Sequence, residues 1–597
     1  MTHSPDPATR RRLAGGEVVG SRESDGTLAW RGLRYAQPPT GERRWRAPQP
    51  PAPWQGVAEA LAHGPMAPQV AGLLSGLPPK TYGQLVGDED CLSLNVFAPP
   101  PTAESRPPRP VMVWVHGGGY AVGTSALYDA ARKLALHDDV VVVTVNYRLG
   151  VLGWFTHPAL AEADGATPEE RSGNFGTLDQ IAALRWVRDN IAAFGGDAGC
   201  VTVFGESAGG QAVLTLLASP LAAGLFHRAV AQSPVAETFS VEAAVHRSAS
   251  PLASRQCTTF DITARLWAAA SRSPDAAAAH AALAGARASE VAAFLRSLTP
   301  AQLLAPYAPG SVGIYLAPRP TRDGVVLPLA PLAEVFASGP WNRMPVILGS
   351  NRDEVRTFLA DKPEHSRLLG GKLPLLHDRP AYLAESRYQS RAWRALHVDA
   401  MADAMLAGGH RDLWTYRFDW DEAPAIPFVR PDLLLGAAHA MEMPFAFHDP
   451  CEAFDPFTVA TPFNRASRQA LAEAMGTAWS SFARHGEPRL PDLAGRPAAG
   501  WARRAGGSGA DSLVFDSARD GGLRMAAARE SIGTIKRELA ADPALQARPD
   551  LLCAIYARLF LWHPLFEGHG DEAEYRQWAQ RLGCAIPAEA FRPRVEV

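Results

Sequence analysis

The chain has 597 residues, of which 47% are hydrophobic and 20% charged, so a large core is easily supplied and length alone leaves the number of domains open. A net charge of −3 carries no electrostatic footprint for nucleic acid. No apolar run reaches the roughly 18 to 20 residues that cross a bilayer, since Leu551 to Trp562 is interrupted by Arg558, and no membrane span is expected.

Residues 1–14 are polar and proline-containing and are expected to be a disordered lead. Arg10-Arg11-Arg12 runs into Leu13-Ala14-Gly15-Gly16-Glu17 with no apolar segment of signal-peptide length, so the protein is read as cytoplasmic. From Gly16 to Val57 the pattern is short strands and proline-fixed turns. The six cysteines, Cys91, Cys200, Cys257, Cys451, Cys553 and Cys584, show no C-x-x-C spacing, which suits neither a zinc site nor a disulfide scaffold; no metal or other cofactor is expected.

Four apolar runs then open into glycine-rich or polar loops. Val111 to Val115 leads into His116-Gly117-Gly118-Gly119-Tyr120, and Val140 to Val145 into Asn146-Tyr147-Arg148. Val201 to Phe204 leads into Gly205-Glu206-Ser207-Ala208-Gly209, and Val346 to Leu348 into Gly349-Ser350-Asn351. Unbroken apolarity means burial on both faces, as in a parallel α/β sheet, and such sheets bind ligands beyond the carboxyl ends of their strands. Between them Asp179 to Phe194 reads as a helix, with Ile181, Leu184, Val187 and Ile191 on one face. Residues 237–310 are alanine-rich and read as covering helices, and Ser512 to Asp516 as a last strand. Near the end, Asp550 is expected to cap an apolar helix through Leu551, Leu552, Ile555, Tyr556, Leu559 and Phe560, and a second helix carries Tyr575, Trp578 and Leu582 and stops at Gly583.

Gly205 to Gly209 is a G-x-S-x-G turn between a strand and a helix, the setting of a nucleophile elbow, with Ser207 at its tip. A serine hydroxyl needs a base, and the base an acid that orients it; in this class they follow in the order serine, acid, histidine. The glycines after His116 let backbone N–H groups face a developing oxyanion, which points to Gly118 and Gly119 as donors with Ala208, the residue after the serine. His116 itself is read as a structural brace of that loop. A nucleotide loop fits worse: Gly117-x-Gly119-x-x-x-Gly123 misses the dinucleotide spacing and no Gly-Lys-Ser/Thr follows.

With Glu89-Asp90-Cys91-Leu92-Ser93-Leu94-Asn95-Val96-Phe97 and the run from Gly173-Asn174-Phe175-Gly176 through Phe194-Gly195-Gly196-Asp197 to the elbow, the chain resembles the type-B carboxylesterases, a family of the α/β-hydrolase fold that includes cholinesterases and many bacterial esterases. The resemblance covers residues 15 to about 525 as one catalytic domain and leaves 526–597 as a helical C-terminal extension on that domain or at an oligomer interface. It implies Glu354, in Gly349-Ser350-Asn351-Arg352-Asp353-Glu354, as the acid and His439, in Gly436-Ala437-Ala438-His439 before Pro444-Phe445, as the base. Cys91 has no partner at the place where extracellular members carry one, where Ala67 stands instead, in keeping with a reducing compartment. Pocket candidates are Tyr82, Ile314, Leu316 and Phe358, all of which also read as ordinary core or loop positions. His563, His569 and Asp571 lie close in sequence, but their spacing fits no standard metal site.

The resemblance implies a serine esterase, monomeric or homodimeric, acting on small to medium, mostly uncharged esters, with carbamates, amides or lipid esters as alternative substrates of the same triad. A non-catalytic binding protein of this fold is the competing class, disfavoured because every triad position is filled.

Overall fold

A computed structural model describes residues 3–592 apart from 102–106, 163–164, 247–257, 271–274, 308–312, 370–372, 425–429, 456, 493–499, 508, 564 and 567. Cys257 and part of the alanine-rich stretch lie outside the described residues.

The apolar runs pair into the middle of an eleven-stranded sheet. Its strands in chain order are β1 (Ser21–Arg22), β2 (Leu28–Arg34), β3 (Ser93–Ala98), β4 (Arg109–Val115), β5 (Val141–Val145) and β6 (Gly196–Glu206). They continue as β7 (Arg228–Gln232), β8 (Val346–Asn351), β9 (Leu413–Phe418), β10 (Ser512–Phe515) and β11 (Arg524–Ala526). Across the sheet they lie in the order β11-β10-β9-β8-β7-β6-β4-β5-β3-β2-β1. The strands from β10 to β5 in that order are parallel, with antiparallel pairing at both edges.

Both faces of the parallel strands are covered, which is why their sequences are continuously apolar. Along β4, Val111, Val113 and Val115 join one core with Val203 and Ala229, while Met112 and Trp114 join the other with Phe204 and Val230. The first core is closed by helices α1 (Phe175–Asn190) and α2 (Ala208–Ala218) through Ile181, Leu184, Val187, Leu214 and Leu217. Helix α1 starts a turn before the expected Asp179, which lies inside it. Its carboxylate is fully buried and accepts from Nε and Nη2 of Arg148, both at 2.7 Å, tying the loop after β5 to the helix.

Helix α3 (Arg379–Arg394) crosses near the end of β8, and α4 (Arg465–His485) closes the second core with Leu471, Met475, Trp479 and Phe482. The C-terminal helices α5 (Pro549–Tyr556) and α6 (Glu572–Leu582) build a third core. There Leu552, Ile555, Tyr556, Leu559 and Phe560 pack with Tyr388, Ala392 and Trp393 of α3, and Arg391 pairs with Glu530 at 2.8 Å. Asp550 is not the cap of α5: Pro549 is the first helical residue, its fixed φ suits that position, and Asp550 falls inside the first turn. Gly583 ends α6 in the left-handed conformation, φ 71°.

The N-terminal residues depart from expectation. Pro7–Thr9 form a 3₁₀ turn and Arg11–Leu13 a strand antiparallel to Gly16–Val19, which in turn pairs with Val57–Glu59. The anchor is polar: the buried Thr9 hydroxyl lies 2.6 and 2.9 Å from the carbonyls of Asp6 and Gly20, and Nε1 of the buried Trp30 donates to Thr9 O at 2.8 Å. Composition records apolar anchors, and this segment is held by backbone hydrogen bonds instead. Deleting residues 1–13 should therefore leave the Trp30 indole without its acceptor and cost about 1–3 kcal/mol. A urea or thermal transition unchanged from that of the full chain would show that the segment contributes nothing.

Candidate active site

Parallel strands bring their carboxyl ends to one edge of the sheet, and the segments after β4, β6, β8 and β9 carry the groups picked out above. Ser207 follows β6 with φ 60° and ψ −120°, a conformation an L-residue rarely adopts. Its neighbours explain the glycines. A Cβ on Gly205 would stand 2.6 Å from Val115 O and from Gly209 backbone atoms, and one on Gly209 would stand 2.0 Å from Val115 O. These glycines are needed for close approach of three backbones. Ser207 N donates to Gln232 O of β7 at 2.9 Å, and Ala208 opens α2, so its N–H has no carbonyl to meet within the helix.

The glycine loop after β4 folds against this turn. Gly118 and Gly119 have φ of 101° and 63°, and a Cβ on Gly117 would come within 3.0 Å of Ser207 Cβ. His116 lies beneath, stacked on Tyr147 with centroids 4.5 Å apart; its Nδ1 is 2.8 Å from Gly117 O and its carbonyl accepts from the Tyr147 hydroxyl at 2.5 Å. Burial lowers the His116 ring to about 4, so it stays neutral and serves as a brace.

His439 and Glu354 meet although 85 residues separate them in the chain: Nδ1 lies 2.6 Å from Glu354 Oε2. Glu354 is fully buried, and its other oxygen accepts from Asn351 N at 2.7 Å. The histidine loop is clasped from the same segment. Asp353 N donates to Ala437 O at 2.9 Å, Ala437 N donates to the Asp353 carboxylate at 3.1 Å, and His439 N donates to Glu354 O at 3.2 Å. Asp353 thus positions the loop while Glu354 faces the ring. Two aromatic rings pack on the imidazole, Trp393 at 4.9 Å and Phe358 at 5.2 Å.

The other ring nitrogen, Nε2, faces the elbow. It lies 3.0 Å from Glu206 Oε1 without forming an aligned hydrogen bond, and neither atom has another partner among the described residues. Ser207, His439, Glu206 and Gly118 line one recess of about 30 Å³. A second buried glutamate, Glu442, is held by Asn351 Nδ2 at 2.6 Å and Gln232 Nε2 at 3.3 Å. Burial pushes Glu206 up to about 8, against the pull of His439, and Glu442 up to about 7. Burial would depress His439, but Glu206 and then Glu354 raise it to about 9. The rise of the ring requires an ionised Glu206, whereas Glu206 at about 8 is mostly neutral at pH 7. The carboxyl is the member that yields, because its Oε1 is buried without a hydrogen bond, and a neutral Glu206 leaves the ring as a free base oriented by Glu354.

A cavity of about 280 Å³ opens from Ser207, lined by Gly119, Tyr120, Ala208, Ile314, Leu316 and Phe358 among others. Three of the pocket candidates are thus in its wall. Tyr82 is not: it ends a 3₁₀ turn at Pro79–Thr81, and its loop reaches the serine recess through Leu73 and Leu74 instead. The wall also contains Arg319 and Trp393, and His563 and Leu565 from the C-terminal extension. Glu206 and Glu442 sit inside the motifs quoted for other residues, but Trp393, Arg319 and Leu565 carry no motif; only the packing of α3 and the extension brings them here. A larger cavity of about 570 Å³ between α3 and the extension holds no member of the constellation. Its arginines are engaged, Arg352 with Asp421, Arg391 with Glu530, Arg417 with Asp419 and Arg548 with Asp378. Among the described residues no cluster of three metal-ligating side chains is found, and no helix is long and apolar enough to cross a membrane.

The Carboxylesterase family matches residues 8–373. The chain is 34% identical over 487 residues to a para-nitrobenzyl esterase of Bacillus subtilis, covering 79% of this chain and 89% of that one. It is 33% identical over 513 residues to a fumonisin B1 esterase of Sphingopyxis macrogoltabida, covering 81% and 83%. Among solved structures, a PNB esterase matches with TM-score 0.61 and 29% identity over 89% of this chain and 99% of its own. A Geobacillus stearothermophilus carboxylesterase matches with TM-score 0.60 and 30% identity over 85% and 96%. The family match spans more than half of the chain and the likeness in fold spans most of it, so this protein belongs to the carboxylesterase family and is an α/β-hydrolase that cleaves carboxylic esters.

Proposed function

We propose that Ser207, His439 and Glu354 form a triad that hydrolyses carboxylic esters through an acyl-enzyme. The observation that carries this reading is the 2.6 Å contact from His439 Nδ1 to Glu354, which turns Nε2 toward the recess it shares with Ser207. Nε2 takes the hydroxyl proton as Ser207 Oγ attacks the ester carbonyl, and Glu354 stabilises the imidazolium. The tetrahedral oxyanion is held by the N–H groups of Gly118, Gly119 and Ala208. Collapse expels the alcohol, which takes the proton back from His439; water activated by the same nitrogen then releases the acid and restores Ser207. The five described cysteines are free, with Cys91 buried, which supports a reducing compartment such as the cytoplasm.

Ser207→Ala should lower kcat for 4-nitrophenyl butyrate by about 10⁶-fold, as loss of a triad nucleophile does elsewhere. Turnover within tenfold of the parent would rule Ser207 out as nucleophile. The pH dependence tests the carboxylate cluster. His439 must be neutral to accept the proton, so kcat/KM falls as pH drops through its pKa, and a Glu206 that is already neutral puts no charge beside Nε2 to hold that pKa up. Glu206→Gln should therefore leave the acid limb of kcat/KM in place; a limb that moves to lower pH would show that Glu206 is ionised beside the ring.

A further inference from the structure

Ile314, Leu316 and Phe358 in the wall of the 280 Å³ cavity suit an uncharged ester. Arg319 breaks that pattern. It lines the same cavity with part of its surface accessible, and its guanidinium makes no hydrogen bond or ion pair among the described residues. Its Nη1 is wholly shielded and unpartnered, and so is the hydroxyl of Tyr120, another residue of this wall. A buried donor with no acceptor is costly, and a charged one more so, unless a ligand supplies the acceptor.

The other charged groups nearby do not supply it. Glu237 is the carboxylate that acts most strongly on Arg319, yet the two form no ion pair, and Glu237 Oε2 is itself buried without a partner. Its Oε1 faces the His397 ring at 3.6 Å instead. Burial pushes the Glu237 carboxyl up to about 8, which leaves it mostly neutral at pH 7. Asp361 and Lys362, also in the wall, bring one charge of each sign, and neither forms an ion pair with Arg319 among the described residues. His563 in the same wall adds no negative charge.

We propose that Arg319 selects esters that carry a carboxylate on one of their two arms and pairs with that group while Ser207 attacks the ester carbonyl. The inference rests on the esterase reading above and narrows it, from the uncharged esters that the apolar wall alone would favour to anionic ones. A neutral ester strips water from the guanidinium and returns nothing to it, whereas a carboxylate returns a charge-assisted hydrogen bond. Arg319 touches the substrate away from the reacting atoms and sets specificity.

Two pairs of esters matched in length test this by pH-stat. Ethyl hexanoate against monoethyl adipate places the carboxylate on the acyl arm; hexyl acetate against the acetate ester of 6-hydroxyhexanoic acid places it on the alcohol arm. The wild type should favour the anionic member of at least one pair in kcat/KM, and the responding pair identifies the arm. In Arg319→Met that anionic-over-neutral ratio should fall roughly ten- to hundredfold, the worth of a charge-assisted hydrogen bond. Preference for the neutral member in both pairs, or a ratio that survives Arg319→Met, overturns the proposal while leaving the esterase intact. If Arg319→Met does not fold by circular dichroism, product inhibition of the wild type decides: hexanoate should bind more tightly than 1-hexanol, and equal or weaker binding overturns the proposal. Failure to hydrolyse any of the four esters, together with failure of a phosphonate probe to label Ser207, would instead overturn the esterase reading on which this one rests.

Discussion

At the end of β6 the chain must turn from strand to helix in a space already occupied by two neighbouring backbones. Val115 O of β4 stands 2.0 Å from where a Cβ on Gly209 would sit, and Gln232 O of β7 stands 2.7 Å from that of Gly210. The strained φ of 60° at Ser207 is sustained because β4 and β7 hold both sides of the turn, with Ser207 N bonded to Gln232 O at 2.9 Å. The rest of the site depends on this crowding. It brings the glycine loop after β4 within reach of the serine, and it points the first turn of α2 at the same place.

The second constraint is electrostatic. Three glutamates, Glu206, Glu354 and Glu442, are buried around a single imidazole, and their surroundings set them apart. Glu354 has a backbone N–H on one oxygen and the His439 ring on the other. Glu442 is held through Asn351 and through Gln232, which in turn accepts from Trp479 Nε1 at 3.0 Å. Glu206 has only the unaligned approach of Nε2. An acid with that little support moves toward its neutral form, which keeps the ring available as a base.

The pocket has a different origin from the cluster of Ser207, His439 and Glu354. Ser207, Glu354 and His439 sit on loops after strands, and their places follow from the parallel sheet. Beyond Ile314 and Leu316, the cavity wall takes Trp393 from α3 and Leu565 from the C-terminal extension, and these meet because the extension buries its apolar face on α3. Changes in the extension can therefore reshape the substrate cavity without touching Ser207, His439 or Glu354.

The sequence by itself determined what depends on local sterics and short-range pattern. Continuous apolar runs meant parallel strands buried on both faces, and G-x-S-x-G between strand and helix meant a strained serine. The segments around Glu354 and His439 were legible as motifs because each has to clasp the other through fixed backbone contacts. Where a segment's stability is polar or its first helical residue is a proline, pattern misled: residues 7–13 are ordered by the Thr9 and Trp30 hydrogen bonds, and α5 starts at Pro549. Only the tertiary structure decided that Trp393 and Phe358 both pack on the His439 ring, that Tyr82 lies outside the cavity wall, and that Arg319 stands in that wall without a partner among the described residues. The physical reason is that burial and unmet hydrogen bonds arise when distant segments pack, and such packing leaves no spacing rule in the chain for a reader to find.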